Sequence, residues 1–206
     1  MTSELALRTE IVKYGKLMFD RRLTFATGGN LSARLDEDTI LITPSGVRKG
    51  GLEEGDLLTV DLRDGSHSGP GRPSIETPLH TMFYSREEVN AVVHGHPPFC
   101  TSLAVMGRQL RTGIIPEGIM VLGEVPMVPY KTPGTEDLAR ALAEAGGDGR
   151  GYLMEKHGSL AVGRSLEEAY DRLEEMEFIA MVQVRCDSMG GVEEIPPEER
   201  KRILGI

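Results

Sequence analysis

The chain has 206 residues, 39% hydrophobic and 27% charged, the balance of a soluble globular protein with one large domain's worth of sequence. A formal net charge of −9, with no basic run, excludes nucleic acid and anionic membranes as natural partners. Cys100 and Cys186 stand outside any Cys-x-x-Cys spacing, no apolar run approaches the roughly 18 residues that span a bilayer, and no apolar signal core follows Met1, so a reducing cytoplasm is the expected setting.

Leu5, Leu7, Ile11, Val12, Leu17 and Met18 recur at helical spacing, which predicts an amphipathic helix over residues 3–22. Thr27-Gly28-Gly29-Asn30 ends it. Residues 31–35 alternate like a strand, 36–38 form a turn, and 39–42 make a second strand. Thr43-Pro44-Ser45-Gly46 turns again, 57–62 read as a strand, and 64–72 as a loop. Pro78 starts a helix to about Arg86, with Thr77 as its expected N-cap. A strand follows over 90–94, and Pro97-Pro98 opens a short helix. Residues 125–130 read as a proline-broken strand, and 136–145 as a helix. The Gly146-Gly147-Asp148-Gly149 cluster reads as a flexible turn. Two strands flank His157-Gly158, and Ser165-Leu166-Glu167-Glu168 is a capping box opening a last helix to about Cys186. Paired strands with interspersed helices predict an α/β fold, a sheet with helices on both faces.

Three histidines stand out. Side chains two apart on a strand share a face, so His94 and His96 can reach one ion. His157, at another strand end, can complete the set, although spacing alone does not require it. Three imidazoles with an open fourth position make a catalytic zinc arrangement; cobalt, manganese and iron are also held this way. His67 reads as solvated, and His80 as a packing residue one helical turn from Glu76. Glu76 precedes a helix start, where a carboxylate ordinarily complements the helix dipole; beside a metal it can serve as a general acid/base. Gly29, Asn30, Ser45, Gly46 and Ser74 lie in three turns. Such turns are either ordinary chain reversals or phosphate cradles. Arg34, Arg48, Lys49 and Arg72 nearby are expected to be solvated surface charges. Glu117, in a Pro/Gly loop, is expected to face solvent.

The segments Thr27-Gly28-Gly29-Asn30-Leu31-Ser32, Ile42-Thr43-Pro44-Ser45-Gly46, Ser74-Ile75-Glu76-Thr77-Pro78-Leu79-His80, Ala91-Val92-Val93-His94-Gly95-His96 and His157-Gly158 occur in this order. Together they resemble the class II aldolase/adducin family, whose archetype cleaves L-fuculose 1-phosphate, over about residues 5–185. The resemblance implies a three-layer α/β/α fold with a largely antiparallel central sheet in a single domain spanning 1–206. It also implies a cyclic homotetramer with active sites near subunit contacts. His94, His96 and His157 match the zinc ligands, Glu76 the acid/base carboxylate, and Gly29, Asn30, Ser45, Gly46 and Ser74 the phosphate-binding positions. The implied reaction cleaves a ketose 1-phosphate, through an enediolate, to dihydroxyacetone phosphate and a small aldehyde such as lactaldehyde.

Position 76 sorts the subfamilies. Similar ribulose-phosphate 4-epimerases carry Asp there and methylthioribulose-phosphate dehydratases Cys, so Glu76 favours carbon–carbon cleavage. Ile75 replaces the archetype's second phosphate-binding Ser, and its catalytic tyrosines have no clear match. Glu117 lies where the epimerases and dehydratases place an acidic group, which makes it a candidate second proton donor. A non-catalytic adducin-like interaction module is the alternative of another class. The intact His94, His96, His157 and Glu76 set counts against it.

Overall fold

The computed structural model describes residues 3–146 and 149–206; Met1, Thr2 and the Gly147-Asp148 centre of the expected glycine turn lie outside the described residues. Helix α1 (Glu4–Asp20) starts where Ser3 caps it, its hydroxyl accepting from the Ala6 amide. The strands are β1 (Asn30–Arg34), β2 (Thr39–Ile42), β3 (Leu58–Asp61), β4 (His67–Ser68), β5 (Ala91–Gly95), β6 (Met127–Val128), β7 (Gly151–Met154) and β8 (Gly158–Gly163). They form one sheet in the order β4-β3-β2-β1-β5-β8-β7-β6, antiparallel except for the β6–β7 pair. The expected largely antiparallel sheet is therefore present.

Alternation along each strand divides the core in two. Leu41, Ala91, Val93, Leu153 and Ala161 face one side, where α1, α3 (Pro98–Val105) and α5 (Leu166–Ser188) cover them. Ile40, Ile42, Val92, Tyr152, Leu160 and Val162 face the other, under α2 (Thr77–Thr81) and α4 (Glu136–Ala145). Helices on both faces complete the α/β/α layers.

Several boundaries differ from the sequence reading. Within the expected loop 64–72, His67 and Ser68 pair with β3 as a short exposed edge strand, β4. The helix expected to reach Arg86 stops at Thr81 and tightens into a 3₁₀ turn over Met82–Ser85. Glu76, not Thr77, holds the N-cap position, and its side chain makes no capping bond. Thr77 instead donates its hydroxyl to the Ser74 carbonyl. The capping box of α5 is half formed. Ser165 Oγ accepts from the Glu168 amide, but the Glu168 carboxylate turns back to the Arg164 amide. A π-helical turn (Gly118–Leu122) and a last helix, α6 (Pro197–Leu204), were not anticipated, because neither carries an apolar stripe of readable length.

Candidate metal centre

His94 is the penultimate residue of β5 and shares the sheet face of Val92, the face that α2 covers. Its register partner on β1 is Asn30. His96 lies one residue past β5, its amide held by the Leu23 carbonyl at 2.9 Å. His157 sits in the three-residue turn joining β7 and β8, which pair as Met154↔Gly158. Lys156 adopts φ 56° there to reverse the chain. The end of one strand and one hairpin turn thus bring ligand atoms of His94, His96 and His157 within 4.8 Å of one another.

Glycines allow this convergence. A Cβ on Gly28 would lie 2.8 Å from His96 Nδ1, and one on Gly158 would lie 2.7 Å from His96 Cδ2 and 2.5 Å from the Gly95 carbonyl. His96 is therefore held between two bare backbones. We expect Gly158→Ala to displace the ring and weaken metal affinity about 10–100-fold, the cost of losing a supporting contact. Metal titration of the refolded apo-variant checks this.

The donor set suits a divalent metal. Glu76 Oε2 lies 3.2 Å from His94 Nε2, and Oε1 lies 3.1 Å from His157 Nε2. Even so, Glu76 Oε1 and His94 Nε2 are buried with no aligned hydrogen-bond partner. These atoms converge on a common point rather than on each other. His94 Nδ1 lies 2.8 Å from the Ser159 carbonyl. Donation there fixes the tautomer and leaves Nε2 free to ligate, the usual support of a metal-bound imidazole.

The carboxylate is ionised. Burial opposes its charge, but the neighbouring His94 and His157 imidazoles outweigh that and hold Glu76 well below the usual carboxylate range. Burial likewise opposes charge on His94, and Glu76 reverses the balance, raising it. Burial lowers His96 to about 3, and the other two imidazoles reinforce the shift.

A buried polar chain fixes Glu76. Asn30 Nδ2 donates to Glu76 Oε2 at 2.8 Å. Asn30 Oδ1 therefore faces His80 Nε2 and accepts from it. His80 is fully buried and lowered to about 3, first by burial and then by His94, so it is neutral. Its Nδ1 then accepts from Ser32 Oγ at 2.6 Å, and Ser32 accepts from the Tyr84 hydroxyl at 2.6 Å. Every orientation in this chain follows from one fact, the anionic acceptor at its end. His80 is thus packed in the core, as expected, with its ring hydrogen-bonded to Asn30 and Ser32, and His67 is an exposed edge residue.

A cavity of about 340 Å³ opens onto the centre. Its lining includes Glu76, His96 and His157 together with Gly29, Asn30, Ser45, Gly46 and Ser74. All three predicted turns therefore meet at one mouth, and Pro133 and Ile75 form part of its rim. A larger hollow of about 610 Å³, near Met120 and Arg172, contains no set of metal ligands among the described residues. Glu117 is not among the cavity's residues. It is exposed ahead of the π-helical turn, and the charge it acts on is Glu175 of α5. Lys49, expected at the surface, is buried behind two of the turns. Its position in the connection between β2 and β3 carried no burial signal.

Residues 9–184 match the family model described as Class II Aldolase and Adducin N-terminal domain. The chain belongs to the class II aldolase/adducin family. Among family members, a 5-deoxy-D-ribulose 1-phosphate aldolase of Bacillus thuringiensis serovar kurstaki is 33% identical over 199 residues, 95% of this chain and 92% of that protein. A 3-oxo-tetronate 4-phosphate decarboxylase of Pectobacterium atrosepticum is 35% identical over 185 residues, covering 87% and 84%. A solved L-fuculose 1-phosphate aldolase superposes with a TM-score of 0.89 at 32% identity, covering 97% of this chain and 94% of that one. All three class II aldolase relatives are carbon–carbon lyases by name. No described helix is long and apolar enough to cross a membrane.

Proposed function

We propose that the protein is a metal-dependent aldolase cleaving a ketose 1-phosphate to dihydroxyacetone phosphate and a small aldehyde. The observation that carries this reading is the aim of Glu76. It is a buried carboxylate whose two oxygens approach two of three clustered imidazoles. A divalent ion at His94, His96 and His157, zinc in this reading, would supply Lewis-acid stabilisation of the negative charge developing on the substrate's ketone oxygen.

The chain's own residues do the rest. Gly29, Asn30, Ser45, Gly46 and Ser74 offer backbone N–H groups and hydroxyls to the phosphate, which fixes where the scissile bond lies. The C4 hydroxyl loses its proton, the C3–C4 bond breaks, and a proton returns to C3. In this reading Glu76 takes the C4 hydroxyl proton and returns one to C3, which its buried carboxylate beside the imidazoles supports. Asn30 keeps the carboxylate aimed while the neutral His80 holds Asn30. A cyclic homotetramer with active sites near its contacts belongs to the same reading. Glu117 serves as a second proton donor there only across a subunit contact, since it does not line its own chain's cavity.

One relative supports a second reading, decarboxylation of a 3-oxo acid phosphate, because that reaction also breaks a bond beside a carbonyl. The 4-epimerase and dehydratase readings are disfavoured by Glu at position 76. A panel of L-fuculose 1-phosphate, 5-deoxy-D-ribulose 1-phosphate, ribulose 5-phosphate, methylthioribulose 1-phosphate and 3-oxo-tetronate 4-phosphate decides among them. We expect about one divalent ion per chain by metal analysis, as one three-histidine site implies, and the highest kcat/KM on a ketose 1-phosphate. Turnover of the 3-oxo acid alone would replace the aldolase reading, and a chain with no metal affinity would return the interaction module.

A further inference from the structure

Lys49 is 1% exposed. Its ammonium donates to the Val47 carbonyl at 2.7 Å and to the Thr27 carbonyl at 3.4 Å. Val47 follows the Ser45-Gly46 turn, and Thr27 opens the turn to Asn30, so the ammonium lies behind both turns that line the cavity. No carboxylate pairs with it among the described residues, and burial lowers it to about 8. Its charge acts on His94 and His96.

An unpaired buried ammonium is costly, and an apolar side chain of similar length would avoid that cost. The cavity has a matching deficit. Its lining contains no Lys or Arg, and Glu76 adds a negative charge to it. A phosphate dianion entering there meets N–H groups and hydroxyls but no cationic side chain. We propose that Lys49 is a positioning residue for the substrate's phosphate, clamping the two turns together and supplying from behind them the positive charge the cradle lacks. The proposal rests on the phosphate-cradle reading of those turns.

The test uses metal-loaded enzyme, with inorganic phosphate and sulfate as competing anions. In Lys49→Met, KM for the phosphorylated substrate and the phosphate inhibition constant should each rise about tenfold, the order expected for one charge acting across partly screened protein. The change in kcat should be smaller, metal content equal, and melting temperature equal or higher. Lys49→Arg should restore phosphate affinity to within about threefold of wild type.

Should the methionine variant fail to fold, wild-type protein carries the test. Sulfate keeps two charges throughout, so its inhibition constant should rise as pH passes about 8 and Lys49 loses its proton. The same rise should be absent in K49R. The groups facing the ammonium are the Thr27 and Val47 carbonyls, with Gly15 of α1 against its stem and the His94 and His96 imidazoles nearby. A folded K49M with wild-type KM and phosphate inhibition overturns the role of Lys49, as does an unchanged sulfate constant across pH 8. Wild-type enzyme that binds neither anion overturns the cradle reading itself.

Discussion

Glu76→Gln lowers kcat about 10²- to 10⁴-fold, the span that general acid–base catalysis contributes, and leaves the metal in place. Glutamine keeps the volume and an oxygen for Asn30 to donate to, so the chain from Tyr84 through Ser32, His80 and Asn30 retains its acceptor. What disappears is a carboxylate able to take and return a proton. The three imidazoles are untouched, and metal content stays at the wild-type ratio. Steady-state turnover together with metal analysis of the same preparation checks both halves. Full turnover with metal bound would remove Glu76 from the acid/base role.

His94→Ala abolishes metal occupancy and activity together. His94 is the fully buried member of the three, with Nδ1 held against the Ser159 carbonyl and Nε2 aimed at the shared point. Losing a supporting contact alone costs about 10–100-fold in metal affinity; losing a ligand costs more. The variant also leaves the Glu76 carboxylate buried without its His94 contact. We therefore expect its melting temperature below that of wild-type apoprotein, with no gain on adding zinc. Retained stoichiometric metal in His94→Ala would displace this cluster as the metal centre.

Much of the site was legible as local pattern. His94-x-His96 at the end of an apolar strand marked two candidate ligands, because side chains two apart on a strand share a face, while His157 beside Gly158 joined them only through the resemblance. The three Gly, Asn and Ser turns were readable as turns, and their order with the histidine segments carried the family resemblance. Glu76 was legible only as a choice between capping and chemistry. The fold decides against capping, because β5 places His94 on the face that α2 covers, and Glu76 turns toward it.

Residue order by itself determined most of the helices and strands, the candidate ligands, and the segments whose family resemblance implied a largely antiparallel sheet. The tertiary structure alone decided which charges are buried. Lys49 and Glu117 look alike in sequence, each a charged residue near a glycine, yet one lies buried against two turns that line the cavity and the other is exposed beyond the cavity's lining. Periodicity reports which face of an element is apolar. Burial of a single charge depends on which distant segments pack over it, here Thr27 and Val47 on either side of β1 and β2, and no local pattern contains that information.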